Sequence, residues 1–233
     1  MDVAIIKYNA GNIYSVSYAL KRLGVSPVIT ADPELLHKAD KVIFQGVGEA
    51  FTTMDYLKEH KLDAIIKDLK QPVLGICLGM QCIAIEFARN VLGYADANSR
   101  EMDEKTPHNV IDIMEEQKAI TNMGGTMRLG AYECVLQKGS KAYQAYGQEH
   151  IQERHRHRYE FNNAYIETFA AHGLRVAGVN PERNLVEAVE LVDHPWFVGV
   201  QFHPEFKSRP NRAHPLFVRF VRAALEHGAE NGR

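Results

Sequence analysis

Residues 72–81 have the sequence PVLGICLGMQ, the most informative stretch of this chain. An apolar run ends in Gly-x-Cys-x-Gly, and the helical pattern of residues 80–91 follows directly. This order predicts a buried strand, a sharp turn and a helix, with Cys77 in the turn. Flanking glycines permit a tight turn, and a helix N-terminus favours a thiolate over a thiol. The stretch therefore predicts a nucleophile elbow with Cys77 as the nucleophile.

A second motif, GVQFHPEF at residues 199–206, supplies the other groups that a thiol nucleophile needs. His203 and Glu205 close the apolar strand predicted for residues 196–202, and an extended chain would put both side chains on one face. His203 would take the thiol proton and later protonate the leaving group, while the Glu205 carboxylate orients the imidazole. Each motif alone is compatible with core packing or an ordinary turn. Their joint occurrence at predicted strand ends favours a triad of Cys77, His203 and Glu205.

The N-terminal part of the chain alternates strand and helix patterns. Strands are predicted at residues 3–6, 27–29, 41–44 and 73–76, and helical spacing of apolar residues recurs at 16–23 and 62–69. Repeated βα units with the chemistry at a strand's carboxyl end indicate an open, mostly parallel twisted sheet with helices on both faces. The predicted fold class is α/β.

After residue 92 the pattern changes to shorter extended pieces. They predict added antiparallel strands at residues 110–114, 127–136, 175–179, 185–191 and 196–202. The polar, aperiodic segment 94–108 predicts a surface loop that carries function or mobility. No repeat, linker or low-complexity tract interrupts the sequence, so we expect one domain over residues 1–233.

Composition indicates the general class of protein. The chain has 233 residues, 45% hydrophobic and 24% charged, which is enough for one substantial core. The formal net charge of −2 argues against a general nucleic-acid or membrane-surface binder. Three cysteines without framework spacing, and no signal peptide or long apolar span, favour a cytoplasmic protein with free thiols.

An oxyanion hole is predicted from Gly46, Val47 and Gly48, which follow the strand at residues 41–44, together with the backbone amide of Leu78. Small residues allow backbone N–H groups to turn toward a developing negative charge. An ordinary glycine turn is the alternative. The position of these glycines, one βα unit before Cys77, favours the catalytic interpretation.

The motifs GICLGMQ at residues 75–81 and QFHPE at residues 201–205 resemble those of the class I (triad-type) glutamine amidotransferases. Glutaminase domains of this family release ammonia from the glutamine side-chain amide for a second active site. The resemblance covers nearly the whole chain but has two parts. Residues 1–81 resemble the glutaminase subunit of imidazole glycerol phosphate synthase, and residues from about 82 onward resemble the C-terminal glutaminase domain of CTP synthase.

Different stretches carry the two resemblances. The first rests on KYNAGNI at residues 7–13 and QGVGEA at residues 45–50. The second rests on ANS at residues 97–99, GGTMRLG at 124–130, ERHRHRYE at 153–160 and HPWF at 194–197. Residues 75–81 are common to both, so a joint between two parental halves is suspected near residues 75–82, in a natural or constructed chimera. Both relatives usually carry Pro before the first oxyanion glycine, and Gln45 in its place is expected to loosen the loop.

The resemblance also implies the substrate contacts. Its matching residues are Gln81, Glu101 and Arg158, beside Tyr159, which would hold the backbone of glutamine. An α-carboxylate suits an Arg fork, and an α-ammonium suits a carboxylate. The basic cluster at residues 154–158 could instead be a small anion or nucleic-acid patch, but the family match explains it better.

The resemblance implies hydrolysis of L-glutamine to L-glutamate and ammonia, with no metal or organic cofactor for this half-reaction. No P-loop or other phosphate-binding glycine pattern occurs, so an ammonia-accepting synthase domain or subunit is the expected partner. A CTP synthase-type acceptor in pyrimidine biosynthesis is favoured. The alternatives are imidazole glycerol phosphate synthase in histidine biosynthesis, a catalytically silent glutamine-binding scaffold, and a cysteine hydrolase for another amide. No nucleic-acid or membrane partner is expected.

Overall fold

The computed structural model describes residues 2–7, 12–46, 68–113 and 127–230. Its strands are β1 (Val3–Ile6), β2 (Val28–Thr30), β3 (Lys41–Gly46), β4 (Val73–Cys77), β5 (Asn98–Ser99), β6 (Asn109–Ile113), β7 (Arg128–Leu136), β8 (His150–His157), β9 (Tyr159–Phe161), β10 (Leu174–Asn180), β11 (Leu185–Leu191) and β12 (Phe197–Val200). Its helices are α1 (Ile13–Lys21), α2 (Pro33–Lys38), α3 (Leu78–Asn90), α4 (Lys141–Tyr146), α5 (Ile166–Ala171) and α6 (Pro215–Glu230), with 3-10 turns at Asn163–Tyr165 and Pro204–Phe206.

A nine-stranded sheet in the order β2-β1-β3-β4-β12-β11-β10-β7-β8 forms the centre of the structure. The strands from β2 to β12 are parallel, and those from β12 to β8 are antiparallel. A separate three-stranded sheet has the order β5-β6-β9. Strand β4, which is buried along its whole length, lies between β3 and β12, as expected for a continuous apolar run in a parallel sheet.

Helices cover both faces of the large sheet. Successive residues of a strand point to opposite faces, so Val3 and Ile5 pack with residues of α1, α4 and α6, whereas Ala4 and Ile6 pack with residues of α2, α3 and α5. The predicted α/β class, with helices on both faces and added antiparallel strands, is confirmed. Within the described ranges, no helix combines the length and apolar character needed to cross a membrane.

Two details differ from the prediction, and the helix predicted at residues 62–69 stays a prediction. Strand β12 is antiparallel only to β11, because its other edge pairs in parallel with β4. Strands β8 and β9 were not anticipated, since β8 alternates charged residues with histidines instead of apolar residues. Most of the helix predicted at residues 62–69 lies outside the described residues.

Candidate active site

The turn between β4 and α3 holds Cys77 in a strained backbone conformation. Its φ of 53° and ψ of −110° lie in a region that non-glycine residues rarely adopt, as is typical of a nucleophile elbow. Gly79 brings the first turn of α3 against β3: a Cβ there would lie 1.9 Å from the carbonyl oxygen of Phe44. Only glycine permits this approach. The thiol of Cys77 is thereby held at the N-terminus of α3, in the turn that the sequence predicts.

His203 and Glu205 form a buried pair beside the elbow. His203 Nδ1 lies 2.8 Å from Glu205 Oε1, and neither side chain is accessible to solvent. The pairing does not arise from an extended strand, as the sequence suggested: β12 ends at Val200, and Glu205 lies in the 3-10 turn Pro204–Phe206. Pro204 favours that turn because its ring fixes φ. The turn, and not strand alternation, brings the carboxylate to the imidazole.

The protonation of His203 fits a thiolate–imidazolium pair. Burial lowers the pKa of His203, but hydrogen bonds to Cys77 and Glu205 and the charges of both outweigh it and raise the pKa to about 10. Among the described residues, no partner of His203 Nε2 meets standard hydrogen-bond geometry, although the thiol of Cys77 is near enough to raise its pKa. Catalytic hydrogen bonds are often long before substrate binds and tighten afterwards. An imperfectly aligned contact between the imidazole and the thiol is therefore compatible with a raised pKa of His203.

A cavity of about 190 Å³ opens at the thiol. Six predicted site residues line it: Cys77, Leu78, Gln81, Glu101, Arg158 and Tyr159. Met127, Arg156 and His157 complete the wall. The sequence interpretation placed none of them in the substrate site, although Arg156 and His157 belong to the basic cluster at residues 154–158. In β8, residues 151, 153, 155 and 157 are buried and the residues between them are exposed. This two-residue period of a strand was the signal that could have placed His157 on the inner face.

The predicted oxyanion hole is described in part. Gly46 ends β3 and pairs with Cys77 in the sheet register, and Leu78 is the first residue of α3. Val47 and Gly48 lie outside the described residues. Gln45, which stands where the relatives usually carry Pro, is fully buried, and its side-chain Nε2 donates to Glu205 Oε1 at 3.3 Å. Gln45, at the position where the relatives usually carry Pro, therefore connects β3 to the Glu205 carboxylate.

A buried polar layer lies behind the cavity wall. Arg128 on β7 pairs with Glu187 at 2.6 Å and with Glu160 at 3.5 Å. His155 Nδ1 lies 2.8 Å from His157 Nε2, and His155 Nε2 lies 3.4 Å from Glu187. This layer connects β7, β8 and β11 of the large sheet, and β9, to His157, which faces the cavity.

Burial governs titration in this layer. It raises the pKa of Glu187 to about 7, with Arg128 opposing the shift, and it raises the pKa of Glu160 well above its usual range. It lowers the pKa of His155 and of His157 well below the ordinary histidine value, and the neighbouring cations add to the effect. His157 therefore presents a neutral ring to the cavity at neutral pH, beside the guanidinium of Arg158.

Comparisons with known proteins agree with this geometry. The family model described as "Glutamine amidotransferase class-I" matches residues 4–223. The CTP synthase of Bacteroides thetaiotaomicron is 67% identical over 183 residues, which are 78% of this chain and 32% of that protein. The CTP synthase of Methanothermobacter thermautotrophicus is 60% identical over 168 residues, 71% of this chain and 31% of that protein. The chain thus spans about a third of the length of these relatives.

Solved structures give the same result. The glutaminase domain of Trypanosoma brucei CTPS, with bound acivicin, superimposes with a TM-score of 0.84 at 32% identity and covers 97% of this chain and 94% of that domain. A protein from Thermoplasma acidophilum described as a GMP synthase subunit, with a TM-score of 0.70 at 17% identity and coverage of 100% and 98%, shares the fold. The joint near residues 75–82 stays a prediction. Motifs, fold and comparisons together show that the chain belongs to the class I glutamine amidotransferase family and is of the CTP synthase glutaminase type.

Proposed function

We propose that this chain hydrolyses L-glutamine to L-glutamate and ammonia, and that the ammonia passes to a synthase active site of the CTP synthase type. One observation carries the proposal. The buried Cys77, His203 and Glu205 group adjoins a cavity of about 190 Å³ that is lined by both Glu101 and Arg158. A carboxylate and a guanidinium in one small cavity suit the α-ammonium and α-carboxylate of an amino acid, whose side chain can then reach the thiol.

The first half of the reaction acylates the enzyme. The Cys77 thiolate attacks the side-chain amide carbon of glutamine, and backbone N–H groups of Leu78 and of residues 46–48 stabilise the oxyanion. His203, held by Glu205, donates its proton to the departing ammonia. The product is a γ-glutamyl thioester on Cys77.

The second half releases glutamate. His203, neutral after it has given up its proton, takes a proton from water, and the resulting nucleophile attacks the thioester. The thiol is regenerated when the tetrahedral intermediate collapses. Because a thiol, a base and amide donors supply every step, we expect this half-reaction to need no metal or organic cofactor.

The same relatives support the proposed acceptor, and the cysteines support the proposed compartment. Relatives named CTP synthase are about three times longer than the part they share with this chain, so we assign the synthase that uses the ammonia to a further domain or subunit. All three cysteines are free and buried. Free thiols suit the reducing cytoplasm, where Cys77 stays available as a nucleophile.

Glutamate release by the purified chain is the direct test. Incubation with L-glutamine, with Cys77→Ala as the blank, is expected to release glutamate and ammonia in equal amounts only with the intact thiol. A synthetase domain of a CTP synthase, added in trans with its nucleotides, is then expected to give glutamine-dependent CTP. Glutamine binding without any turnover, alone and with that domain, would contradict the proposal in favour of a silent glutamine-binding module.

The role of Arg158 has its own test. Arg158→Ala removes the cavity guanidinium, and we expect KM for glutamine to rise about ten- to a hundredfold, because a charge-assisted bidentate contact contributes roughly 1.5–3 kcal/mol. Arg154→Ala is the matched control, since Arg154 is exposed on β8 and does not line the cavity. Equal KM values for the two variants would contradict the substrate assignment.

A further inference from the structure

The side chain of Gln201 is buried beside Cys77, and it has no role in the reaction proposed for this chain. It follows β12 directly, and its side chain is inaccessible to solvent. Its backbone N–H donates to the carbonyl of Glu187 at 2.8 Å, which fixes the residue to the sheet. Its side-chain Nε2 lies 3.7 Å from Cys77 Sγ, within hydrogen-bond range of sulfur. Gln201 therefore touches the reacting atom.

The orientation of this amide is determined by its neighbours. The nitrogen and oxygen of a side-chain amide can usually exchange places by a flip of the group, so only a neighbour with a fixed hydrogen-bonding role identifies the nitrogen. The backbone carbonyl of Tyr159 can only accept, and Gln81 Nε2 donates to it at 2.9 Å. The same Nε2 donates to Gln201 Oε1 at 3.2 Å. With its oxygen committed to Gln81, Gln201 can present only its NH₂ group to the sulfur.

An N–H group at this place favours the ionised nucleophile. A hydrogen bond to the charged form of a group stabilises that form, and a thiolate accepts such a bond better than a thiol does. Burial has the opposite effect on a neighbouring thiol: it raises the pKa of Cys82, in α3, to about 12. A donor beside Cys77 favours the thiolate that the proposed reaction requires.

We infer that Gln201 is a further catalytic residue, which donates a hydrogen bond to the Cys77 thiolate, and that Gln81 and the Tyr159 carbonyl hold it in the donating orientation. The catalytic role of Gln201 rests on the proposed function, whereas the hydrogen bond to Cys77 and its effect on the ionisation of the thiol do not. Gln81 and Tyr159 also line the cavity. The chain of amides thus joins the wall of the substrate site to the nucleophile.

The ionisation of Cys77 tests the inference without any substrate. The full chain is alkylated with iodoacetamide across a pH series, and the modification of Cys77 is followed by mass spectrometry. Cys82 and Cys134 are expected to react slowly, because burial raises the pKa of both thiols. In Gln201→Met, which keeps the length but removes the donor, we expect the alkylation midpoint to rise by about one pH unit. Gln201→Glu, which replaces the donor with an acceptor of the same shape, is expected to shift the midpoint further.

Two further variants separate orientation from packing. Gln81→Met leaves Gln201 in place but removes its orienting partner, so it should shift the midpoint in the same direction, and the double variant should add little to Gln201→Met. Gln71→Met is the matched control, because Gln71 is a buried amide that donates to the carbonyl of Leu36 and lies outside the cavity wall. Its midpoint should equal that of the wild type.

The outcomes distinguish this inference from the proposed function. Wild-type midpoints in folded Gln201→Met and Gln201→Glu would overturn the inference even if glutamine is hydrolysed normally. A shifted midpoint in a chain that never hydrolyses glutamine would support the donor and count against the proposed function. If neither Gln201 variant folds, an unshifted midpoint in Gln81→Met overturns the inference. In an active chain, kcat should fall in Gln201→Met with little change in KM.

Discussion

At the scale of single residues, we expect the hydrogen bond from Gln45 to Glu205 to lower the basicity of His203, the proposed base. Glu205 Oε1 accepts from Gln45 and also faces His203 Nδ1. Without the amide donor, more negative charge remains on the carboxylate, which stabilises the His203 imidazolium. In Gln45→Met we therefore expect the pKa of His203 to rise further, by about half a unit, and kcat at pH 7 to fall about threefold, because thioester hydrolysis needs neutral His203. The pH dependence of kcat measures both.

Gln71→Met again serves as the control for loss of a buried amide, and its pH profile should match the wild type. Gln45→Pro introduces the residue that the relatives usually carry and also lacks the donor, so its profile should move in the same direction. A profile that stays at the wild-type position in both Gln45 variants would show that the carboxylate does not depend on this donor.

At the scale of elements, the contact between α3 and β3 positions the nucleophile. A Cβ on Gly79 would lie 1.9 Å from the oxygen and 2.8 Å from the carbon of the Phe44 carbonyl, and backbone of a central strand cannot give way. Gly79→Ala must then displace α3 and, with it, Cys77. We expect a loss of at least about 3 kcal/mol in the free energy of unfolding, measured by urea denaturation, and a loss of glutaminase activity.

Gly93→Ala separates this clash from the general cost of replacing a glycine. Gly93 has a φ of +78° and nothing within 4 Å of a built Cβ, so the substitution carries conformational strain alone. Its expected cost is about 1–2 kcal/mol, with activity retained. Similar stability in the two alanine variants would contradict the close packing of α3 on β3.

At the scale of the whole molecule, the buried histidines make stability depend on pH. The pKa of His155 is lowered by burial, by His157 and by Arg128, so this side chain is neutral in the folded protein while it titrates normally when unfolded. The unfolded state therefore binds the extra proton, and the stability associated with His155 is present above pH 6.5 and lost as pH falls below it. Glu187 acts in the opposite direction between about pH 7 and 4.5, because its pKa is raised to about 7. The contribution of His155 is therefore measured as the difference in free energy of unfolding between the wild type and a His155 variant.

Between about pH 6.5 and 5.5 the free energy of unfolding of His155→Gln is expected to fall by about 1 kcal/mol less than that of the wild type, because the unfolded wild-type histidine is only half protonated at the start of this interval. Urea denaturation at several pH values gives the comparison. His150→Gln, on the same strand but exposed, should follow the wild-type slope. Equal slopes for all three proteins would show that His155 takes up a proton when folded.

The sequence alone was sufficient for the chemistry that depends on local order. Few local structures are compatible with an apolar run that ends in Gly-x-Cys-x-Gly and continues into a helical pattern. The run favours a buried strand, the glycines permit a tight turn, and the following residues favour a helix. The βα alternation before it implied the parallel half of the sheet. The pairing of His203 with Glu205 was also predictable, although its geometry is that of a 3-10 turn.

Strand β8 was missed because periodicity was sought in apolar residues. Its buried positions are Ile151, Glu153, His155 and His157, and only the first of these is apolar. Polar side chains enter a core when partners from other strands satisfy them, and those partners are distant in sequence. Arg128 and Glu187 are such partners, and no local pattern points to them.

The sequence by itself therefore determined the fold class and predicted the three residues proposed as nucleophile, base and carboxylate, since each is encoded in a few neighbouring residues. Only the tertiary structure decided which side chains surround the sulfur. Gln201 meets Gln81 across 120 positions of sequence, and Gln45 meets Glu205 across 160. Both contacts exist because β3, β4 and β12 lie side by side in parallel register, so the residues at their carboxyl ends converge on one edge of the sheet.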